Sequence, residues 1–471
     1  MTIPDDVLLR LKSALGEGGW SQDPDRVAPK LVEWRDRWHG HTPLLLLPKT
    51  VEAVSAAVGI CFETQTPIVP QGGNTGLVAG QIPQGEILLS LERMRAVREV
   101  EPLDDVAVAE AGVTLAALQE AALEAGRFFP LSLAAEGSAT VGGLVSTNAG
   151  GTAVLRYGTM RNLVLGLEAV LPNGEIYRGL KRLRKDNTGY DLKHLLIGAE
   201  GTLGVVTAAS VKLSPILSSR SVAIAGLASS QNAVELLALA KAVSGGQVEA
   251  FELIGRSGVA NAVRNIPGVR EPLEGEHAWY VLIEVASGQA GAAEAALESV
   301  LEQGMEQGLV QDAAPAQSQA QAAAFWKLRE EQSAAQKAEG VSWKHDVAVP
   351  VSKVAEFLER ATQAAERDYP GVRVVAFGHV GDGNMHYDVI QPPQTAGGGE
   401  GALHDRQREA GSQMVHDIAD ALGGSISAEH GLGAMKTREA LRYKTAAEID
   451  ALRAIRAALD PERIMNPRVL F

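Results

Sequence analysis

Glycine is concentrated at three places in the first half of this chain, and at each it excludes a packed helix. Pro70-Gln71-Gly72-Gly73-Asn74-Thr75-Gly76 follows the strand-like TPIV. Ser138-Ala139-Thr140-Val141-Gly142-Gly143 leads to Ser146-Thr147-Asn148-Ala149-Gly150-Gly151 and then to Arg156-Tyr157-Gly158. Gly198-Ala199-Glu200-Gly201-Thr202-Leu203-Gly204-Val205-Val206 follows the apolar DLKHLLI. Without a Cβ, successive backbone N–H groups can turn inward together and form an anion nest. One such run alone reads as a tight turn. Three of them, rich in small residues, are expected where backbone lies against a flat ligand. The third contains G-x-x-G-x-x-G rather than G-x-G-x-x-G, with no acidic residue at the ribose distance, so a nicotinamide on a Rossmann unit fits poorly.

Around these loops the pattern alternates between strand and helix. TPLLLLPKT, TPIVPQGG, EILLSLERM and VAVAEAGVTL read as strands or strand-to-helix transitions. TVEAVSAAVGICFET and TLAALQEAALEAG have helical spacing, the second closing on glycine. Residues 1–40 read as a helix and a turn-rich approach in which Trp34 and Trp38 pack. After Pro215 the texture becomes alanine- and glutamine-rich, with helical SQNAVELLALAKAV and GAAEAALESVLEQG between the strands SVAIAGL and AWYVLIEV. AAPAQSQAQAAA and QTAGGGEGA read as helix or flexible surface without chemistry. At 471 residues the chain is expected to hold two or three domains. The expected division is 1–215, 216–408 and a helical 409–471 broken at Asp460-Pro461.

Charge and cysteine usage remove several classes. Lys and Arg number 43 against 57 Asp and Glu, a net −14, which disfavours a generic nucleic-acid binder. One cysteine, Cys61, excludes an intramolecular disulfide framework and any four-cysteine cluster. The acidic amphipathic start lacks a signal-peptide pattern, and no stretch of about 18 uncharged apolar residues is present. The expectation is a cytoplasmic protein with no membrane span.

In the second half, AFGHVGDGNMHYDV places His379 and His386 around a glycine turn, and SISAEHGLGAMK joins Glu429 to His430. Two imidazoles and a carboxylate suit a divalent metal with open positions, although the spacing is not H-E-x-x-H and structural histidines remain the alternative. Arg329, read alone, is one solvated charge on a helix, and Lys344 opens the strand-like VAVPV.

PQGGNTGLVAG, TVGGLVSTNAGG with RYG, and GAEGTLGVVT resemble the FAD-binding segments of the vanillyl-alcohol oxidase/para-cresol methylhydroxylase-type flavoproteins. Within that family the chain is most similar to the D-2-hydroxyacid dehydrogenases, from about residue 40 to the C-terminus. The resemblance implies an α+β fold with an FAD-binding domain, a substrate (cap) domain and a helical C-terminal segment. It implies FAD held by Pro70–Gly76, by Ser138, Thr140, Gly142, Gly143, Asn148, Gly150 and Gly158, and by Glu200, Gly201, Gly204 and Val206. Asn466 would lie near the isoalloxazine. None of the loops holds a histidine or cysteine, so the flavin is expected to be non-covalent.

By the same resemblance His379, His386 and Glu429 would be metal ligands, zinc being the usual reading, and His430 the catalytic base. Arg329, Ser333 (one helical turn on) and Lys344 would bind substrate carboxylate. Asp388 stands where the D-2-hydroxyglutarate enzymes usually carry asparagine, which sets a negative charge beside a dicarboxylate. The implied reaction is oxidation of a D-2-hydroxy acid, D-2-hydroxyglutarate or D-malate before D-lactate or glycolate. An external acceptor (electron-transfer flavoprotein, quinone or cytochrome) would take the electrons, and a homodimer is the expected assembly. An alkylglycerone-phosphate synthase type would carry a run of adjacent histidines, which HVGDGNMH lacks; a flavin-independent metal hydrolase and a non-catalytic flavoprotein subunit are the other readings.

Overall fold

A computed structural model describes residues 3–391 and 400–470, with no side-chain description over 400–406. Most of the QTAGGGEGA tract lies outside the described residues. The chain forms two compact units, each with its own sheets and core. One comprises residues 1–151, 157–216 and 429–471; the other comprises 152–156 and 217–428. Residues 409–428 therefore belong with the second unit, and the chain returns to the first at Glu429, unlike the three-part division expected from texture.

The first unit carries two principal sheets. In one, Leu45–Leu46, Ile87–Ser90 and Ile68–Gln71 run parallel, with Trp20–Ser21 antiparallel at the edge. The other is antiparallel, in the order Val97–Glu101, Val106–Glu110, Val205–Lys212, Val164–Val170 and Ile176–Gly179. Helix Val51–Glu63 starts where the Thr50 hydroxyl accepts the Ala53 N–H, satisfying one of the free donors of a first turn. Its Val54, Ala57, Val58 and Cys61 pack with Ile68, Ile87 and Leu89. Helix Leu115–Glu124 is capped by Thr114, and Gly126 follows at φ 70°, the left-handed exit anticipated from the sequence. Trp34 is 63% exposed rather than packed.

The second unit is a seven-stranded antiparallel sheet. Its order is Asp312–Pro315, Ser219–Leu227, Trp279–Ser287, Val248–Gly255, Arg373–His379, Asn384–Ile390 and Ser342–Ala348. Helices Ser230–Val243, Ala292–Glu306, Val354–Asp368 and Glu400–Ala421 bury one face, meeting Phe251, Val281, Trp343, Met385 and Tyr387. Helices Arg256–Asn265 and Gln319–Glu330 lie on the other, against Ile224, Ile254 and Leu282. The AAPAQSQAQAAA tract supplies strand Asp312–Pro315 and the start of helix Gln319–Glu330. Among the described residues no helix is long and apolar enough to cross a membrane.

Candidate active site

In the first unit the three glycine runs meet. A Cβ on Gly73 would lie 1.8 Å from the Ser138 carbonyl oxygen, and one on Gly72 would lie 2.4 Å from Thr140 Oγ1. A Cβ on Gly201, at φ 75°, would come within 2.7 Å of Pro70 Cγ. The glycines thus let the three loops approach closely, backbone to backbone at Gly73 and backbone to side chain at Gly72 and Gly201. Asn74, itself left-handed at φ 56°, donates from Nδ2 to the Val32 and Pro29 carbonyls and ties the first loop to the N-terminal segment.

Three polar atoms at these loops are buried without a hydrogen-bond partner: Gln71 Oε1, Thr140 Oγ1 and Asn466 Oδ1. Buried polar groups are paired in nearly all native structures, so orphans gathered at one place point to a polar ligand. Their donor and acceptor chemistry fits a dinucleotide. Asn466 Nδ2 donates to the Gly80 and Glu200 carbonyls, both at 2.8 Å, which holds the C-terminal turn on the first and third loops.

Other residues expected at the cofactor have structural duties. Val206 packs in the core with Leu144, Leu167 and Leu203. Contrary to the expectation that the runs exclude helix, Gly142 and Gly143 lie in the short helix Val141–Ser146. A Cβ on Gly142 would lie 2.7 Å from Ala111 Cβ, so its smallness lets the helix pack on the residue after strand Val106–Glu110. Asn148 Oδ1 accepts the Arg161 N–H. Glu200 turns its carboxylate to the N–H groups of Leu432 and Gly433.

In the second unit strand register assembles the remaining chemistry. Lys344 stands opposite Asp388, Asp346 opposite His386, and His386 opposite Phe377. His379 pairs with Asn384 on one side and Glu252 on the other. Side chains alternate across a strand, so Lys344, Asp346, His379, His386, Asp388 and Glu252 share one face, while Trp343, Met385 and Tyr387 enter the core behind. The glycine turn is tight: a Cβ on Gly383, at φ 81°, would lie 1.9 Å from the Val349 carbonyl oxygen.

Glu252 organises this face. Its Oε1 accepts from His379 Nδ1 at 2.7 Å and its Oε2 from Arg329 Nε at 2.7 Å. Burial opposes its ionisation, but His379 and Arg329 outweigh burial and hold the carboxyl at about 2. An ionised carboxylate only accepts, so His379 Nδ1 carries a proton toward Glu252, while Arg329 Nη2 lies 3.5 Å from Nε2. The His379 and His386 rings are 5.8 Å apart, and His386 Nδ1 is 4.0 Å from Asp346 Oδ1.

Arg329 is 7% exposed, not solvated, because Glu252 pairs it and Phe377 lies beneath its guanidinium at 5.1 Å. Ser333 is exposed, and it is not a helical turn beyond Arg329 on one helix. The helix ends at Glu330, and a short second one spans Gln332–Ala335, turning Gln332 inward instead. Lys344 Nζ lies 3.4 Å from both Asp388 Oδ2 and Gln336 Oε1.

Glu429 and His430 open the last segment of the first unit, with His430 Nε2 3.6 Å from Glu429 Oε1. Directly before them, in the second unit, the Ala428 N–H donates to the Asp346 carbonyl. Glu252 and Asp346 escaped the sequence reading; the only trace was a carboxylate inside each of the apolar strands FELIG and WKHDVAV.

The family of FAD linked oxidases, C-terminal domain, matches residues 216–470, and the FAD binding domain family matches 42–179. The chain is 37% identical over 465 residues to the probable mitochondrial D-2-hydroxyglutarate dehydrogenase of Oryza sativa subsp. indica, covering 98% of this chain and 81% of that one. It is 37% identical over 469 residues to the D-2-hydroxyglutarate dehydrogenase of Xanthomonas citri pv. viticola, covering 99% and 97%. The solved structure of p-cresol methylhydroxylase with substrate bound aligns over 98% of this chain and 96% of its own, at a TM-score of 0.76 and 16% identity. That likeness carries the fold, and the family matches carry the cofactor. The chain belongs to the FAD-linked oxidases, on the vanillyl-alcohol oxidase/p-cresol methylhydroxylase-type α+β fold.

Proposed function

We propose that this protein oxidises a D-2-hydroxy acid to the 2-oxo acid, with non-covalently held FAD, a divalent metal such as zinc, and D-2-hydroxyglutarate foremost among the substrates. The observation that carries the reading is the single sheet face of the second unit, where Glu252 joins His379 to Arg329 and Lys344 stands on the neighbouring rows. Imidazole and guanidinium presented together suit a hydroxy acid, whose hydroxyl and carboxylate are adjacent. The full-length similarity to two D-2-hydroxyglutarate dehydrogenases supports the same class.

Bound FAD supplies the hydride acceptor, and a divalent metal supplies polarisation of the substrate hydroxyl. His379, His386 and Glu429 would hold the metal. The fit rests on His379, whose Nδ1 is held by the Glu252 carboxylate, the usual outer-shell arrangement for a ligating histidine. Arg329 orients the substrate carboxylate, Lys344 binds the distal one, and His430 accepts the hydroxyl proton as the Cα hydride departs. With one cysteine the chain has no thiolate set for an iron–sulfur relay, so the electrons leave to an external acceptor.

One observation favours a second substrate. Asp388 is 2% exposed and pairs Lys344, so the cation meant for a distal carboxylate is already partly neutralised. D-lactate needs no such cation. Anaerobic titration of the purified flavoprotein with D- and L-2-hydroxy acids decides the matter. D-2-hydroxyglutarate is expected to bleach the flavin bands and its L-isomer to leave them. If no D-2-hydroxy acid bleaches them, the proposal fails; a colourless folded protein would restore the hydrolase reading.

A further inference from the structure

Every polar group of Glu200 is engaged, and the bonds reach three separate stretches of chain. Its N–H donates to the Ser146 carbonyl at 2.8 Å, in the second glycine run. Its own carbonyl accepts Asn466 Nδ2, from the C-terminal turn. Its carboxylate spans two successive amides, Oε1 taking the Leu432 N–H at 2.9 Å and Oε2 the Gly433 N–H at 2.8 Å. The residue holds this posture at φ 50°, a left-handed conformation that a side chain adopts only under constraint.

The segment that receives the carboxylate begins at Leu432, two residues after His430. It is gripped from its other side as well, for the Ala434 N–H donates to the Val78 carbonyl at 3.0 Å. A Cβ on Gly431 would lie 2.8 Å from Glu200 Oε1, and one on Gly433 would lie 2.1 Å from the Val78 oxygen. Both glycines are left-handed, at φ 77° and 50°. The peptide leaving His430 is therefore confined at Gly431 and Gly433, where there is no room for a side chain.

We infer that Glu200 is a positioning residue for His430, a clamp that couples the third flavin loop to the proton-accepting histidine through the Leu432 and Gly433 amides. The inference rests on the role of His430 proposed above. Burial pushes the Glu200 carboxyl up and the two amides oppose that shift; two N–H groups need two acceptors, which its two oxygens provide at 2.9 and 2.8 Å. A glutamine at 200 provides one acceptor and opposes the second N–H with its own, so the slot loosens. A small displacement of a reacting group is costly to rate, whereas substrate affinity set by other residues is spared.

The test is a double-mutant cycle on the FAD-loaded protein, with Glu200→Gln, His430→Ala and the pair, read by the rate of flavin bleaching. Glu200→Gln is expected to slow bleaching about ten- to a hundredfold with little change in KM, and to cost less than about twofold when His430 is already alanine. Equal losses in both backgrounds would overturn the inference. If Glu200→Gln does not fold, Glu200→Asp, whose shorter reach cannot span both amides, takes its place in the same cycle. Hydrogen exchange at the Leu432 and Gly433 amides separates this inference from the functional one, because it needs no turnover. Faster exchange in the variant supports the clamp, and unchanged protection refutes it even if no substrate is found.

Discussion

Glu252 and His379 face each other across adjacent strands, and the Glu252 carboxylate accepts the His379 Nδ1 proton at 2.7 Å. The same carboxylate takes Arg329 Nε at 2.7 Å, so one buried acid aligns an imidazole and a guanidinium that are separated by 50 residues of chain. Removing the charge while keeping the shape tests that arrangement. Glu252→Gln is expected to weaken metal retention about ten- to a hundredfold, the usual effect of an outer-shell partner. Metal content after graded chelation, with FAD absorbance as the internal control, reads the result; unchanged retention would remove Glu252 from that role.

In the proposed site Asp388, 3.4 Å from Lys344 Nζ, would set how much of the lysine charge reaches a substrate. Asp388→Asn removes the buried negative group without changing volume, leaving the lysine to pair with a distal carboxylate. The ratio of kcat/KM for D-2-hydroxyglutarate to that for D-lactate is expected to rise about tenfold, the value of one charge-assisted hydrogen bond at its lower end. Steady-state kinetics on both acids measure it. A ratio that stays constant would place Lys344 on the carboxylate common to the two substrates.

Gly73 is where loop packing tolerates least. Even Gly73→Ala sets a methyl 1.8 Å from the Ser138 carbonyl carbon's oxygen, which is backbone and cannot rotate away. The first and second loops must part, and the expected result is protein that purifies without the yellow cofactor. The ratio of flavin to protein absorbance checks this, with far-ultraviolet circular dichroism showing whether the remaining fold persists.

Cys61 lies in the helix between the parallel strands and has no exposed surface. Burial pushes its thiol up to about 12. In the unfolded chain the thiol ionises near ~8.5, so between that pH and about 12 the unfolded state loses its proton first. Stability therefore falls as pH rises through this window, by up to roughly 1.4 kcal/mol per unit, and Cys61→Ala removes that contribution to the slope. A thiol reagent at pH 8 is expected to modify the protein only after denaturant is added; rapid native labelling would contradict the burial.

Contiguous features of the sequence were legible. The three glycine runs, the capped helices and the histidines flanking the turn at 380–383 each depend on residues within a few positions of one another, where backbone sterics and side-chain period act directly. The family resemblance added roles to them. What escaped was anything that register decides. Glu252 reads as one acid in an apolar strand until pairing sets it against His379, 127 residues later. Arg329 reads as a solvated charge until a sheet supplies a carboxylate and an aromatic ring beneath it. Ser333 faces solvent because the helix stops at Glu330, a break that periodicity does not announce. Local conformation is written in short-range sterics and hydrogen bonds, whereas the partner of a buried charge is chosen by which distant strand lies alongside, since an unpaired charge cannot stay inside.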